Sequence, residues 1–200
     1  MSVPPSPLGR RERNKQAKLD RITAAARQLF AEHGIDDVTT QQIADAADIG
    51  TGTLFLYVKS KGELLLMVQN SSYADALARG RAAADATRDV VDAVMAIIRL
   101  VVECNRAQVD NGRTYLREIV FGDPAEPHHR DALGYTVETE EAIAAVLRRD
   151  ERLTAADAAT LAHVVIAVLF LSLAATANLD HSVDEIVKDI ARQVRAVLQQ

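Results

Sequence analysis

Apolar residues recur along this chain at intervals of three and four, the period of a helix with one buried face. Leu19, Ile22, Ala26, Leu29 and Phe30 mark a first helix over about 15–33, which Gly34 ends in a C-cap position. Two short helices follow between Thr39 and Lys61. Thr39 with Gln42 forms a capping box, and Ile43, Ala44 and Ala47 supply the inner stripe. Asp48 stands where the chain must turn and tolerates a left-handed backbone. Ile49 plugs the turn, Gly50 caps the next helix, and Leu54, Tyr57 and Val58 close its inner side. Ser60 with Glu63 starts a long fourth helix, to about 84, with Leu64, Leu65, Val68, Ser72 and Leu77 inward.

Five more helices complete the pattern. The fifth, about 88–109, presents Val90, Val91, Val94, Ile97, Ile98, Val101 and Val102. Asn111-Gly112 reads as a break before a sixth, about 113–121, with Tyr115, Leu116, Ile119 and Phe121. After a loop from Gly122 to Pro127, a seventh over about 128–149 carries Leu133, Val137, Ile143, Val146 and Leu147. Thr154 with Asp157 caps an eighth, about 155–178, and Ser182 with Glu185 caps a ninth, about 183–198. Its stripe is Val183, Ile186, Ile190, Val194 and Val197. The expected fold is all-α with about nine helices. A basic arm and a head of short helices over 1–61 precede a larger helical body over 62–200. Met1 to Gly9 is rich in Pro and Ser, reads as disordered, and has no apolar signal-peptide core.

Composition supports a packed helical protein: 48% of residues are hydrophobic and 26% charged. The single cysteine, Cys104, excludes an internal disulfide framework and fits a reducing cytoplasm, the expected location. The apolar run Val164 to Leu171 is too short for a bilayer span and reads as a buried helix, so no membrane is expected. The net charge of −5 is unevenly spread. Residues 1–61 hold nine Lys/Arg against seven Asp/Glu, and five of the nine lie between Arg10 and Lys18 beside Glu12 alone. Positive charge thus sits next to the paired short helices, while the acidic remainder keeps the body off a polyanion.

Two short helices around a tight turn form a helix-turn-helix, whose second helix enters the DNA major groove. The same spacing also fits an ordinary helical hairpin. Three segments favour the first: AAARQLFAEHG (Ala24 to Gly34), VTTQQIADAADI (Val38 to Ile49) and TGTLFLYVKSKGELL (Thr51 to Leu65). They resemble the first helix, the second helix with its turn, and the recognition helix of the TetR family of transcriptional regulators. The resemblance spans roughly 15 to 68, and beyond that extends only to length and helical character. Asp48 and Gly50 depart from the family's usual Gly and Ser or Thr, and Phe55 and Val58 from a common Tyr and Phe. Phe55 thereby lacks a hydroxyl that would reach a phosphate.

The resemblance implies a DNA interface of Arg10, Arg11, Arg13, Thr39, Thr40, Gly50, Thr51, Thr53, Phe55, Tyr57 and Lys61. Arg10, Arg11 and Arg13 are phosphate or minor-groove candidates. Thr40, Tyr57 and Lys61 would hold phosphates, and Gly50 would offer a helix N-terminal N–H. Thr51 and Thr53 would reach base edges. It also implies a homodimer built on the last two helices and a palindromic operator. For a small, fairly hydrophobic effector, the polar residues among helices five to eight are the pocket candidates: Arg99, Asn105, Tyr115, Tyr135, Thr139, His163 and Ser172. His163 is expected as a core or pocket histidine. His128 and His129 read as a surface helix start, their side chains about 100° apart and badly placed to share a metal. No catalytic triad, phosphate loop or metal motif is present, so neither enzyme activity nor a cofactor is expected. The reading is a ligand-released repressor. The alternative is a helical small-molecule-binding protein or enzyme whose hairpin does not bind DNA.

Overall fold

A computed structural model of the chain describes residues 9–198. The expected disorder of Met1 to Gly9 therefore falls, for residues 1–8, outside the described residues. Within them the chain forms nine α-helices. The head contains α1 (Arg10–Asp37), α2 (Thr40–Ala46) and α3 (Thr51–Leu54). The body contains α4 (Lys61–Asp85), α5 (Val90–Arg106), α6 (Val109–Phe121), α7 (Pro127–Leu147), α8 (Ala155–Ala174) and α9 (Val183–Leu198). The all-α architecture expected from the periodicity is what the chain adopts. No strand occurs among the described residues.

The head closes on its own small core. Ile22, Ala26 and Phe30 of α1 meet Ile43 of α2, Ala47 at its C-cap, Leu54 of α3 and Val58. Leu54 is fully buried, so trimming it to Ala would cost about 2–5 kcal/mol. The Thr39–Gln42 capping box forms reciprocally, with Thr39 Oγ1 accepting from Gln42 N at 3.2 Å and Gln42 Oε1 from Thr39 N at 2.7 Å. Asp48 takes the left-handed backbone expected of it, with φ 53°. α1 breaks from helical geometry at Gly34, where φ is 76°, so the helix proper ends where the sequence places its C-cap.

α4 is the spine, packing on α1, α5, α6 and α7, while α9 lies against α5 and α8. Several local expectations are corrected. Asn111-Gly112 is no break: both lie in the first turn of α6, and the chain turns at Ala107-Gln108 instead. Gly112 serves close packing, since a Cβ there would stand 2.0 Å from the Asn105 carbonyl oxygen. The inward face of α4 carries Tyr73, and Ser72 is exposed. Ser60 caps α4 as expected, but the Glu63 carboxylate accepts from Lys59 N at 2.8 Å rather than from Ser60 N. α8 stops at Ala174 and a short 3-10 turn, Thr176–Asn178, follows it. His129 is buried, not a surface residue, with Nε2 at 3.1 Å from the Ile119 carbonyl.

Phe121, Leu133 and Val137, expected inside, face solvent together with Val164 and Leu171. α8 has the length and the mean hydropathy, 2.0, of a helix able to cross a membrane, which the shorter run counted in the sequence understates. Core helices meet the same test, and its Val165, Ile166, Leu169 and Leu173 are packed into this protein's core.

Candidate nucleic-acid interface

The basic residues expected as an arm are helical from Arg10 onward. This fixes their directions. Arg11, Lys15 and Lys18 are spaced i, i+4, i+7 and so share one face of α1. That face forms one side of a surface groove, and Leu56 and Tyr57, just beyond α3, form the other. Three cationic side chains, with Glu12 and Asn14 between them, thus flank the segment that follows α3.

Each expected contact residue can be located. Thr39 is the exposed N-cap of α2, and Thr40 is the partly exposed first residue of that helix. Gly50 is the exposed N-cap of α3. Thr51 and Thr53 are partly exposed, and the Thr51 hydroxyl is held by Gln41 Oε1, which ties α3 to α2. Gln41 is itself held by Asp45, its Nε2 donating to Oδ1 at 2.7 Å. Phe55 is 47% and Leu56 82% exposed. α3 is a single turn, but hydrogen bonds from Tyr57 N and Val58 N to Leu54 O carry the coil on to Val58. Tyr57 is half-buried against the head's core while bordering the basic groove.

Lys61 is placed differently from the sequence expectation of a phosphate-facing amine. Its Nζ donates to the carbonyls of Ile35 at 2.6 Å and Val38 at 3.0 Å, capping the end of α1. The Ile35 carbonyl also accepts the Val38 N–H at 3.4 Å, so Lys61 adds to a backbone bond already made at this helix end.

Residues far along the sequence reach the same place. Asn111 of α6 donates from Nδ2 to Phe30 O at 2.8 Å and accepts Ile35 N–H at 2.7 Å on Oδ1. It thereby straddles the break at Gly34. Gln108, the N-cap of α6, lies so close that a Cβ on Gly34 would stand 2.5 Å from its Nε2. At the other end of α6, Glu118 lies over Gly62, where a Cβ would be 2.6 Å from its carboxyl carbon. Lys59 adds an ion pair to Glu126 at 2.7 Å. The hydrogen bond from Lys59 lowers the Glu126 carboxyl below its ordinary range, and burial raises that of Glu63 beside it. Head and body are thus joined through α6 and the segment before α7, as well as through α4. Sequence reading missed Asn111 because Asn-Gly signals a turn, and nothing local distinguishes a buried clamp from one.

The expected pocket residues divide. Tyr115, Thr139, Asn105 and Ser172 are buried and Tyr135 partly so. Arg99 stands on the surface, paired with Asp184 at 2.8 Å, and His163 on the surface with Glu140 at 3.2 Å. Neither is the interior residue expected. Tyr73, missed in the sequence, is central to the buried group: its ring lies 6.0 Å from that of Tyr115 and 6.2 Å from that of Tyr135. Its hydroxyl pairs with Thr139 Oγ1 at 3.0 Å, and Tyr115 donates to Asn70 Oδ1 at 2.9 Å. The Asn105 Oδ1 is buried without a hydrogen-bond partner, although its Nδ2 donates to Gly112 O at 3.1 Å.

Comparison with known proteins finds a family model that matches the head. Residues 22–68 match the model of bacterial regulatory proteins of the tetR family. No curated protein sequence matches the chain. Solved structures share its fold. A TetR family regulator, PfmR from Thermus thermophilus, is 21% identical with a TM-score of 0.63, covering 88% of this chain and 97% of its own. FadR of Thermus thermophilus, a TetR family repressor in complex with lauroyl-CoA, is 22% identical with a TM-score of 0.68, covering 88% and 92%. A TetR regulator from Rhodococcus sp. RHA1 is 19% identical with a TM-score of 0.68, covering 92% and 97%.

Proposed function

We propose that this chain, a TetR-family transcriptional regulator by its N-terminal domain and its fold, is a homodimeric repressor in the cytoplasm. It is released from a palindromic operator by a small hydrophobic ligand. The observation that carries the reading is the family match over residues 22–68 on a helix-turn-helix flanked by Arg11, Lys15 and Lys18. In this reading Arg10, Arg11, Arg13, Thr40 and Tyr57 hold phosphates, and Thr51, Thr53 and Phe55 meet bases. Lys61 acts on DNA mainly by fixing the end of α1.

The dimer seam runs along α8. Its exposed Val164 and Leu171, with Leu133 and Val137 of α7, offer an apolar strip to a symmetry mate. α9 contributes polar contacts, since its exposed residues include Lys188, Arg192 and Arg195. Two recognition helices related in this way read half-sites about 34–36 Å apart, or one turn further.

The effector enters among α4, α5, α6, α7 and α8, where the tyrosine group and Thr139 supply the few polar groups such a pocket needs. Because FadR of Thermus thermophilus, with the same fold, is in complex with lauroyl-CoA, long-chain acyl compounds are the first ligands to try. A ligand that moves α6 acts on the head through Asn111. It shifts DNA affinity only by its differential affinity for the two states, typically about 5- to 150-fold. Selection of bound sequences from random DNA by the purified chain tests the reading. Enrichment of a palindrome is expected, and recovery of no sequence over background refutes it.

A further inference from the structure

Most of the large apolar side chains of the head are accounted for by its core. Ile22, Phe30, Ile35, Ile43, Leu54 and Val58 are all buried in it. Phe55 and Leu56 are not, although they stand between the buried Leu54 and Val58. Leu56 is 82% exposed, and its backbone is fixed, with N–H bonded to Thr53 O at 3.1 Å. Its outward direction is therefore set by the helical coil, with Leu54 and Val58 taking the inner positions. Together Phe55 and Leu56 form an apolar tip on the recognition segment. Leu56 also borders the groove of Arg11, Lys15 and Lys18.

An apolar tip beside a groove lined by three cations and one carboxylate, Glu12, suits a partner that is a polyanion with an apolar group set inside it. A lipid surface would need a broader apolar face than one leucine and one phenylalanine provide. In the DNA major groove the apolar group on a base edge is the C5-methyl of thymine, lying between phosphate strands that the cations would follow. Resting on the DNA-binding reading above, we infer that Leu56 is a specificity-determining residue. It packs on a thymine methyl group in each operator half-site, while Arg11, Lys15 and Lys18 hold the flanking phosphates.

The test uses the full chain and the operator recovered by selection. Each thymine of a half-site is replaced in turn by uracil, which removes the methyl and keeps the base pairing. Binding is measured by fluorescence anisotropy for the wild type and for Leu56→Ala, an exposed substitution that spares the core. At one thymine the wild type should lose about fourfold in affinity, the worth of one buried methyl group, and about fifteenfold when both half-sites are changed. Leu56→Ala should be indifferent to the methyl at that position and retain its dependence on salt. If every uracil operator weakens wild type and Leu56→Ala by the same factor, the inference is wrong while DNA binding stands. If selection yields no operator at all, the DNA-binding reading falls and this inference with it.

Discussion

Replacing Asn111 by Ala removes two hydrogen bonds that cross from α6 to the break in α1. It leaves Ile35 N–H and the Phe30 carbonyl inside the protein, both on residues that are almost fully buried. Each buried group left unpaired costs about 1–3 kcal/mol. A water entering the vacated space would recover part of this, which puts the expected loss near 3 kcal/mol. For a chain of this length that corresponds to a fall of about 6–12 °C in Tm. Urea unfolding followed by circular dichroism measures it, with an unchanged m-value marking an unchanged unfolding transition. Asn111→Leu is the control, filling the volume without replacing either bond, and it should be nearly as damaging. If Asn111→Leu regains wild-type stability, the loss in Asn111→Ala is one of packing and the hydrogen-bond argument fails. A loss below about 1 kcal/mol for Asn111→Ala would refute it too, being no more than one ordinary hydrogen bond is worth.

Lys61→Ala should lower stability by about 1–3 kcal/mol, through the carbonyls of Ile35 and Val38, and weaken operator binding equally on all sequences. A salt slope reduced by about one, with stability unchanged, would instead make Lys61 a phosphate contact. Leu171→Arg, on an exposed residue, should give a folded monomer in sedimentation velocity, and a persisting dimer would move the seam elsewhere. Ile190→Arg, by contrast, should fail to fold, because Ile190 is completely buried; a stable dimer would contradict its place in the core. Burial holds Tyr73 protonated up to about pH 12 and raises Tyr115 as well. Ionised phenolates are therefore favoured in the unfolded chain, and the folded state is undiminished by these groups below pH 10 and loses stability as pH climbs from 10 toward 12. Ultraviolet difference titration should show these two tyrosines ionising only with alkaline unfolding, and early ionisation in the folded state would refute their burial.

The helix-turn-helix was legible because its determinants are local. A capping box, a stripe of Ile43, Ala44 and Ala47 and an Asp able to take positive φ lie within ten residues, and the fold uses each. The body was legible as helices but less so as faces. Tyr73 and Ser72 are neighbours 100° apart on a helix, and a stripe read by spacing chose the wrong one. Asn111 and Lys61 deceived for another reason. Polar residues are read as turn or solvent signals, and only the meeting of distant segments reveals them as buried caps for someone else's backbone. His163 erred in reverse. An apolar helix suggests burial all round, whereas α8 keeps one side uncovered in the single chain.

The clamp at Gly34 also bears on how heads and bodies of this fold can be recombined. A head cut after residue 61 carries Lys61 with it but leaves Asn111 behind in the donor. Transplanted onto a foreign body, it would meet whatever residue begins that body's sixth helix. Hybrids that trade operators between regulators should therefore succeed along a seam that runs through three dimensions, with the first turn of α6 moving alongside the head. By its hydrogen bonds the head of this chain reaches past residue 61 to Asn111.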